Sequence, residues 1–206
     1  YLRQTAYLTK GLEITLDDVR DKDNIQHVHY QFNGGIKEYV SYINETKERV
    51  FEEIPYVTGA SSVNPGGLID KPITIIVEAA FQPTKAGILN RNSFCNNIRT
   101  NGGGTHEEGF RLAIGRELNA YFRSKGWLKE TDDNFRSEDC LEGLTVVLSI
   151  KHPDPQYEGQ VKDKLGNDEV RRVVSSIVGD YLKEWLLEHP NEGKAWYERV
   201  ISAFKG

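Results

Sequence analysis

Apolar residues recur along this chain at two periods, and the switches between the periods mark its elements. Leu2, Ala6 and Leu8 predict the end of a helix that stops at Gly11, after which Leu12, Ile14 and Leu16 alternate as a strand. Asp17 to Asn24 reads as a charged turn; Val28, Tyr30 and Phe32 then alternate again, so the pair predicts a hairpin. Past Asn33-Gly34-Gly35, residues Ile36, Tyr39, Val40 and Ile43 fall at helical spacing and set a boundary between two modules. Thr58 to Lys71, rich in Gly, Ser, Asn and Pro, predicts a mobile loop. Ile73 to Phe81 and Ile88 to Ile98 carry the β-branched and aromatic residues of strands.

A helix with a legible start follows. Thr105-His106-Glu107-Glu108 matches a capping box, in which a threonine hydroxyl and a glutamate satisfy backbone N–H groups reciprocally. Phe110, Ile114, Leu118 and Tyr121 form its buried stripe, Arg116 and Arg123 lie on another face, and Arg111 stands beside the buried edge. The preceding Gly102, Gly103 and Gly104 imitate a phosphate cradle, but Glu107 and Glu108 in the first turn would repel a phosphate, so a structural role is expected. Gly143 to Lys151 predicts a strand. Asp168 to Glu188 predicts the longest helix, with Val170, Val173, Val174, Ile177, Tyr181 and Trp185 inward, broken at Pro190. Trp196, Val200 and Phe204 repeat at spacing four in a last helix.

The 206 residues suffice for one domain, or one domain plus a short extension. A net charge of −5 argues against a chain coated in base for nucleic acid, so any DNA contact must come from a local patch. Cys95 and Cys140 lack Cys-x-x-Cys spacing and sit in or beside apolar segments, as buried reduced thiols of a cytoplasmic protein do. No apolar run approaches membrane length, and no signal peptide is visible. Methionine is absent, even at the start, which leads us to expect that Tyr1 is not a natural N-terminus. His27 and His29 face one side of a strand without a third assigned ligand, so no metal is expected there. No Ser-His-Asp, Cys-His, Walker or Gly-x-Gly-x-x-Gly arrangement is present.

What remains is the stretch from His152 to Asn167. Pro153 and Pro155 stiffen its entry, Gly159 and Gly166 allow sharp turns, and Asn167 opens the long helix, so Lys162 is carried on a loop between rigid elements. By spacing alone an exposed loop lysine is a solvated charge.

That stretch, with Glu142-Gly143-Leu144 and Ile150-Lys151 before it, closely resembles a loop of the ATPase subunits of type IIA topoisomerases, the B subunits of DNA gyrase and topoisomerase IV. There the tip reads Gln-Thr-Lys; here it is Gln160-Val161-Lys162. The resemblance extends to Gly34-Gly35-Ile36, Tyr39-Val40, Tyr42-Ile43-Asn44, Asn96-Asn97-Ile98 and Gly103-Gly104-Thr105-His106-Glu107-Glu108-Gly109-Phe110-Arg111. It covers almost the whole chain, most weakly between Glu45 and Lys71 and after Pro190. Gly102 departs from it, standing where the family usually has an acidic residue.

The resemblance implies an α+β fold: a four-stranded sheet with helices on one face and a left-handed β-α-β crossover, like the second domain of a small-subunit ribosomal protein. Residues 1–33 would be the end of a GHKL-type ATPase domain and 34–206 the transducer domain. In that family the loop lysine contacts the γ-phosphate of ATP, which implies Lys162 as catalytic, with Gln160 beside it at the nucleotide. The arginine after Gly-Phe faces the DNA cavity, which implies that role for Arg111 against the plainer one of pairing with Glu107 or Glu108. ATP and Mg²⁺ would be used by the longer subunit, whose partners are DNA, the DNA-cleaving A-type subunit and a second copy of itself. The chain alone is expected to be inactive, monomeric and free of nucleotide. Two alternatives stay open: the second domain of a mismatch-repair or chaperone ATPase of the same superfamily, and an interaction module with no nucleotide role.

Overall fold

Leu144 to Ile150 form an unbroken buried run, and their strand lies at the middle of a mixed sheet, covered on both faces. The computed structural model describes residues 1–66 and 71–205. In chain order its elements are α1 (Leu2–Leu8), β1 (Glu13–Asp18), β2 (Gln26–Gln31), α2 (Gly35–Ile43), β3 (Tyr56–Val63), β4 (Ile73–Pro83), β5 (Asn90–Cys95), β6 (Ile98–Arg99), β7 (Gly103–Gly104), α3 (Thr105–Ser124), α4 (Ser137–Leu141), β8 (Leu144–Lys151), β9 (Lys164–Leu165), α5 (Asp168–Glu188) and α6 (Pro190–Lys205). The fold is α+β. The large sheet runs β3-β4-β8-β5-β6, antiparallel except where β5 pairs parallel with β8 through a connection containing α3 and α4. The two-residue β6 adds a fifth strand to the four expected.

Alternation along β4 divides the core. Ile75, Val77, Ala79 and Phe81 join Phe110, Ile114 and Leu118 of α3, Val170, Val174 and Val178 of α5, and Trp196 and Val200 of α6. Ala80, with Phe94 of β5 and Val147 of β8, packs instead on Leu8, Ile36 and Val40. The expectation of helices on one face is therefore corrected. α3, α5 and α6 take one face, and α2 with the end of α1 covers part of the other, because Ala80, Val147 and Phe94 make that side apolar too. The hairpin β1–β2 forms as predicted and joins this second layer through stacking of Tyr7 on Phe32 (3.6 Å between ring centres) and on Tyr39 (4.6 Å).

Three further expectations change. The loop expected from Thr58 to Lys71 begins as a strand: Tyr56–Val63 pairs along its whole length with β4. Its small residues let α5 lie close, with Ile177 Cγ2 only 3.0 Å from where a Cβ of Gly59 would stand. Residues 67–70 lie outside the described residues. The strand expected from Ile88 to Ile98 is interrupted at Asn96 and Asn97, which have φ of 49° and 65° and turn the chain into β6. The capping box of α3 does not form. Helix α3 has Gly104 as its N-cap with no side-chain cap bond, and the buried Thr105 hydroxyl has no partner among the described residues. Distant partners take the glutamates: Glu107 binds Arg91 (2.6 Å) and Ser93, and Glu108 binds Arg171 of α5 (2.7 Å).

His27 and His29 sit on the exposed hairpin, each beside a carboxylate, Asp17 at 2.7 Å and Glu13 at 2.9 Å. Among the described residues no group of three or more His, Cys, Asp or Glu is placed to hold a metal. Cys95 and Cys140 are buried free thiols, and burial pushes the Cys140 thiol up to about 12. No helix among the described residues is long and apolar enough to cross a membrane.

Candidate functional site

The lysine loop leaves β8 at Lys151 and rejoins the fold at α5, and backbone pairing closes it into a narrow finger. Glu158 N–H donates to Lys164 O (2.9 Å) and Gly166 N–H to Gln156 O (2.8 Å), which leaves 159–163 as the tip, with Gly159 turning at φ 80°. The base is held by side chains. Asn167, the N-cap residue of α5, accepts the N–H of Gln156 (2.6 Å). His152 is buried and accepts the N–H of Asp154 on Nδ1 (3.0 Å), so its proton is on Nε2, which donates to Glu169 (2.9 Å). Burial alone would raise the Glu169 carboxyl; the backbone N–H of its own residue, His152 and Asn167 outweigh that and hold it below the usual range.

The finger does not stand free. β9 pairs parallel with β7, Gly103 opposite Lys164 and Gly104 opposite Leu165, and Gly102 N–H donates to Asp163 O (2.8 Å). The glycine run is therefore the bed of the lysine loop. A Cβ on Gly104 would overlap the Leu165 backbone, so only a bare Cα permits this approach. Residue spacing along the chain missed this contact. The available signal was three consecutive glycines ending at a helix, because such a run can serve a neighbouring backbone as well as a phosphate.

Of the expected site residues, Lys162 and Gln160 share the tip, and both are exposed with no hydrogen bond or ion pair among the described residues. Lys164, the competing cation, is occupied: its ammonium pairs with Glu158 (2.6 Å), which raises its pKa. Val161 between the two polar tip residues is 67% exposed, a side chain with nothing to cover it among the described residues. Arg111 is elsewhere, on α3. It is half exposed and donates to Glu138 of α4 (2.8 Å) and not to Glu107 or Glu108, which corrects that pairing. Arg111 and Lys164 nonetheless line one groove of about 240 Å³, together with Arg91, Glu107, Phe110, Val146 and Leu148.

Sequence and structure comparisons agree on one family. The DNA gyrase B family model matches residues 35–205. The B subunit of DNA gyrase from Spiroplasma citri is 43% identical over 206 residues, covering 99% of this chain and 30% of the relative; that of Staphylococcus aureus is 41% identical over 202 residues, covering 98% and 30%. The chain thus spans about 30% of the length of these curated relatives. Among solved structures, the 43K ATPase domain of Thermus thermophilus gyrase B in complex with an aminocoumarin aligns with a TM-score of 0.80 at 30% identity, over 98% of this chain and 50% of that one. The topoisomerase IV ATP-binding domain of Francisella tularensis aligns with a TM-score of 0.72 at 25% identity, over 98% and 50%.

Proposed function

Since the chain belongs to the DNA gyrase B family, we propose that it acts as the transducer module of an ATP-dependent type II DNA topoisomerase, coupling ATP binding and hydrolysis to passage of DNA strands. The observation that carries this reading is the finger itself: a loop anchored at both ends and along one edge, which presents the Lys162 ammonium, unpaired among the described residues, while the neighbouring Lys164 is paired with Glu158. In this reading residues 1–33 complete the ATPase domain and 34–206 form the transducer, and the parallel β5–β8 connection is the left-handed crossover of the ribosomal-protein-like class.

ATP with Mg²⁺, held by the longer protein, supplies the γ-phosphoryl group that is transferred to water. Lys162 places a positive charge against the γ-phosphate oxygens, where negative charge must be stabilised, and the anchored loop holds that charge without a lid movement of its own. Gln160 adds a neutral polar contact from the same tip. The loop runs directly into α5 through Asn167, and α5 into α6 at Pro190, so a change at the tip has a continuous rigid path to the far end of the chain. DNA, the A-type subunit and a second copy of the longer protein are the partners, with Arg111 exposed toward the DNA cavity.

The test is ATP turnover in the full-length protein. Loss of one preorganised charge contact costs on the order of 10²–10³ in rate, so Lys162→Ala is expected to lose that much and Lys164→Ala far less. Equal effects from the two, or a silent Lys162→Ala, would refute the assignment.

A further inference from the structure

The turn between β5 and β6 is made of two asparagines, both at positive φ, as a two-residue primed hairpin turn requires. Glycine would meet that backbone demand with less strain, so the side chains need their own explanation. Asn96 faces the end of β8. Its N–H donates to Ile150 O (2.8 Å), its Oδ1 accepts the N–H of His152 (3.0 Å), and its Nδ2 donates to the carbonyl of the same residue (2.9 Å). A single side-chain amide thus supplies the donor and the acceptor that a neighbouring strand would supply. It prolongs the sheet ladder by one residue after β5 has turned away. Asn97 meets the Lys151 ammonium beside it.

The residue so clamped is the root of the lysine finger. His152 is fixed through its backbone by Asn96, and its imidazole ties Asp154, at the start of the loop, to Glu169 in the first turn of α5. We propose that Asn96 is a positioning residue for the loop lysine: its amide sets where the segment leaves the sheet and therefore where the Lys162 ammonium stands. This inference rests on the assignment of Lys162 given above. A turn-forming role alone predicts that glycine, which accepts the same φ, replaces Asn96 without consequence; the clamp predicts the opposite.

Asn96→Gly, Lys162→Ala and the double variant, made in the full-length protein, separate these. Displacing a reacting group by about 1 Å can cost 10²-fold, so Asn96→Gly is expected to lower kcat for ATP by roughly 10- to 100-fold. In the Lys162→Ala background it should add nothing, because both act through one ammonium. Losses that multiply in the double variant, or Asn96→Gly within twofold of the parent while Lys162→Ala is severe, would overturn the positioning role and leave the lysine assignment standing. A silent Lys162→Ala would instead remove that assignment and this inference with it. Amide exchange on the 206-residue chain gives a readout independent of turnover. Asn96→Gly should speed exchange at Asp154, Glu158 and Gly166 by roughly tenfold or more, with the α3 core protected as before. Unchanged exchange at those three amides would also overturn the proposal.

Discussion

Replacing Gly104 with Ala should detach the bed from the finger. At φ 135° and ψ −165° this residue occupies a region reserved almost entirely for glycine, and another residue held there costs about 1–3 kcal/mol. The added Cβ would stand 2.5 Å from Leu165 N and 2.8 Å from Leu165 Cα, and nearer still to the Leu165 carbonyl oxygen. These are backbone atoms, so no rotamer change relieves the overlap and β9 must retreat. Leu165 is fully buried; removing a buried leucine outright costs roughly 2–5 kcal/mol, and partial withdrawal roughly half of that. The sum, about 2–5 kcal/mol, is a large share of a stability of about 5–15 kcal/mol. Urea unfolding of the chain measures it, and amide exchange at Gly102, Glu158 and Gly166 locates it. Gly102→Ala is the control, because its φ is outside the positive range and its Cβ would lie 3.1 Å from Lys164 Cβ and 3.2 Å from Asp163 O, which a shift of a few tenths of an ångström accommodates. It should cost less than about 1 kcal/mol. Equal losses from the two variants, or a Gly104→Ala within about 0.5 kcal/mol of the parent, would refute the docking argument.

Two further perturbations address other parts of the site. His106 is fully buried, hydrogen-bonded through Nε2 to Thr100, and burial, assisted by Arg91, lowers its pKa from 6.5 to about 4. Between those values the unfolded chain binds the proton and the folded chain does not, so stability falls as pH drops from about 6.5 toward 4; unfolding free energies at pH 7 and pH 5 should differ by about 2 kcal/mol, and His106→Leu should remove that part of the slope. Arg111→Gln breaks only an exposed pair with Glu138, so the isolated chain should change by less than about 0.5 kcal/mol. In the full-length protein it should weaken the stimulation of ATP turnover by DNA, and an equal fall in turnover without DNA would indicate a structural role.

The elements that periodicity recovered are those whose burial is expressed along their own length. The longest helix runs from Asp168 to Glu188 as predicted, although its buried stripe passes through Val178, Leu182 and Leu186 and leaves Ile177 and Tyr181 only partly buried, and the central strand is the Leu, Val and Ile run after Gly143. What escaped is structure made by distant pairing. The middle of β3 is Thr58, Gly59, Ala60, Ser61 and Ser62, residues that argue for a loop, and it is a strand because β4 pairs with it along its whole length. β7 and β9 are two residues each, too short for any period, and exist only against one another.

The failed capping box shows the same competition inside one site. Thr105 and Glu108 satisfy the local pattern, yet Gly104 is the N-cap, so the Thr105 hydroxyl lies inside the first turn without a partner among the described residues, and Arg171, 63 residues away on α5, takes the glutamate. Both competing bonds use the same carboxylate, but the guanidinium offers it a full positive charge where the helix start offers one backbone N–H, and the long-range contact forms. That outcome serves the loop: Glu108 held by Arg171 ties the start of α3, and with it the glycine bed, to the first turn of α5, where Glu169 holds His152 at the root of the finger. The finger that carries Lys162 is thus held from two sides, by the bed along its edge and by the histidine at its base. Spacing along the chain placed the lysine on a loop; the contacts that give that loop a position come from β5, β7, α3 and α5, and they join residues far apart in sequence.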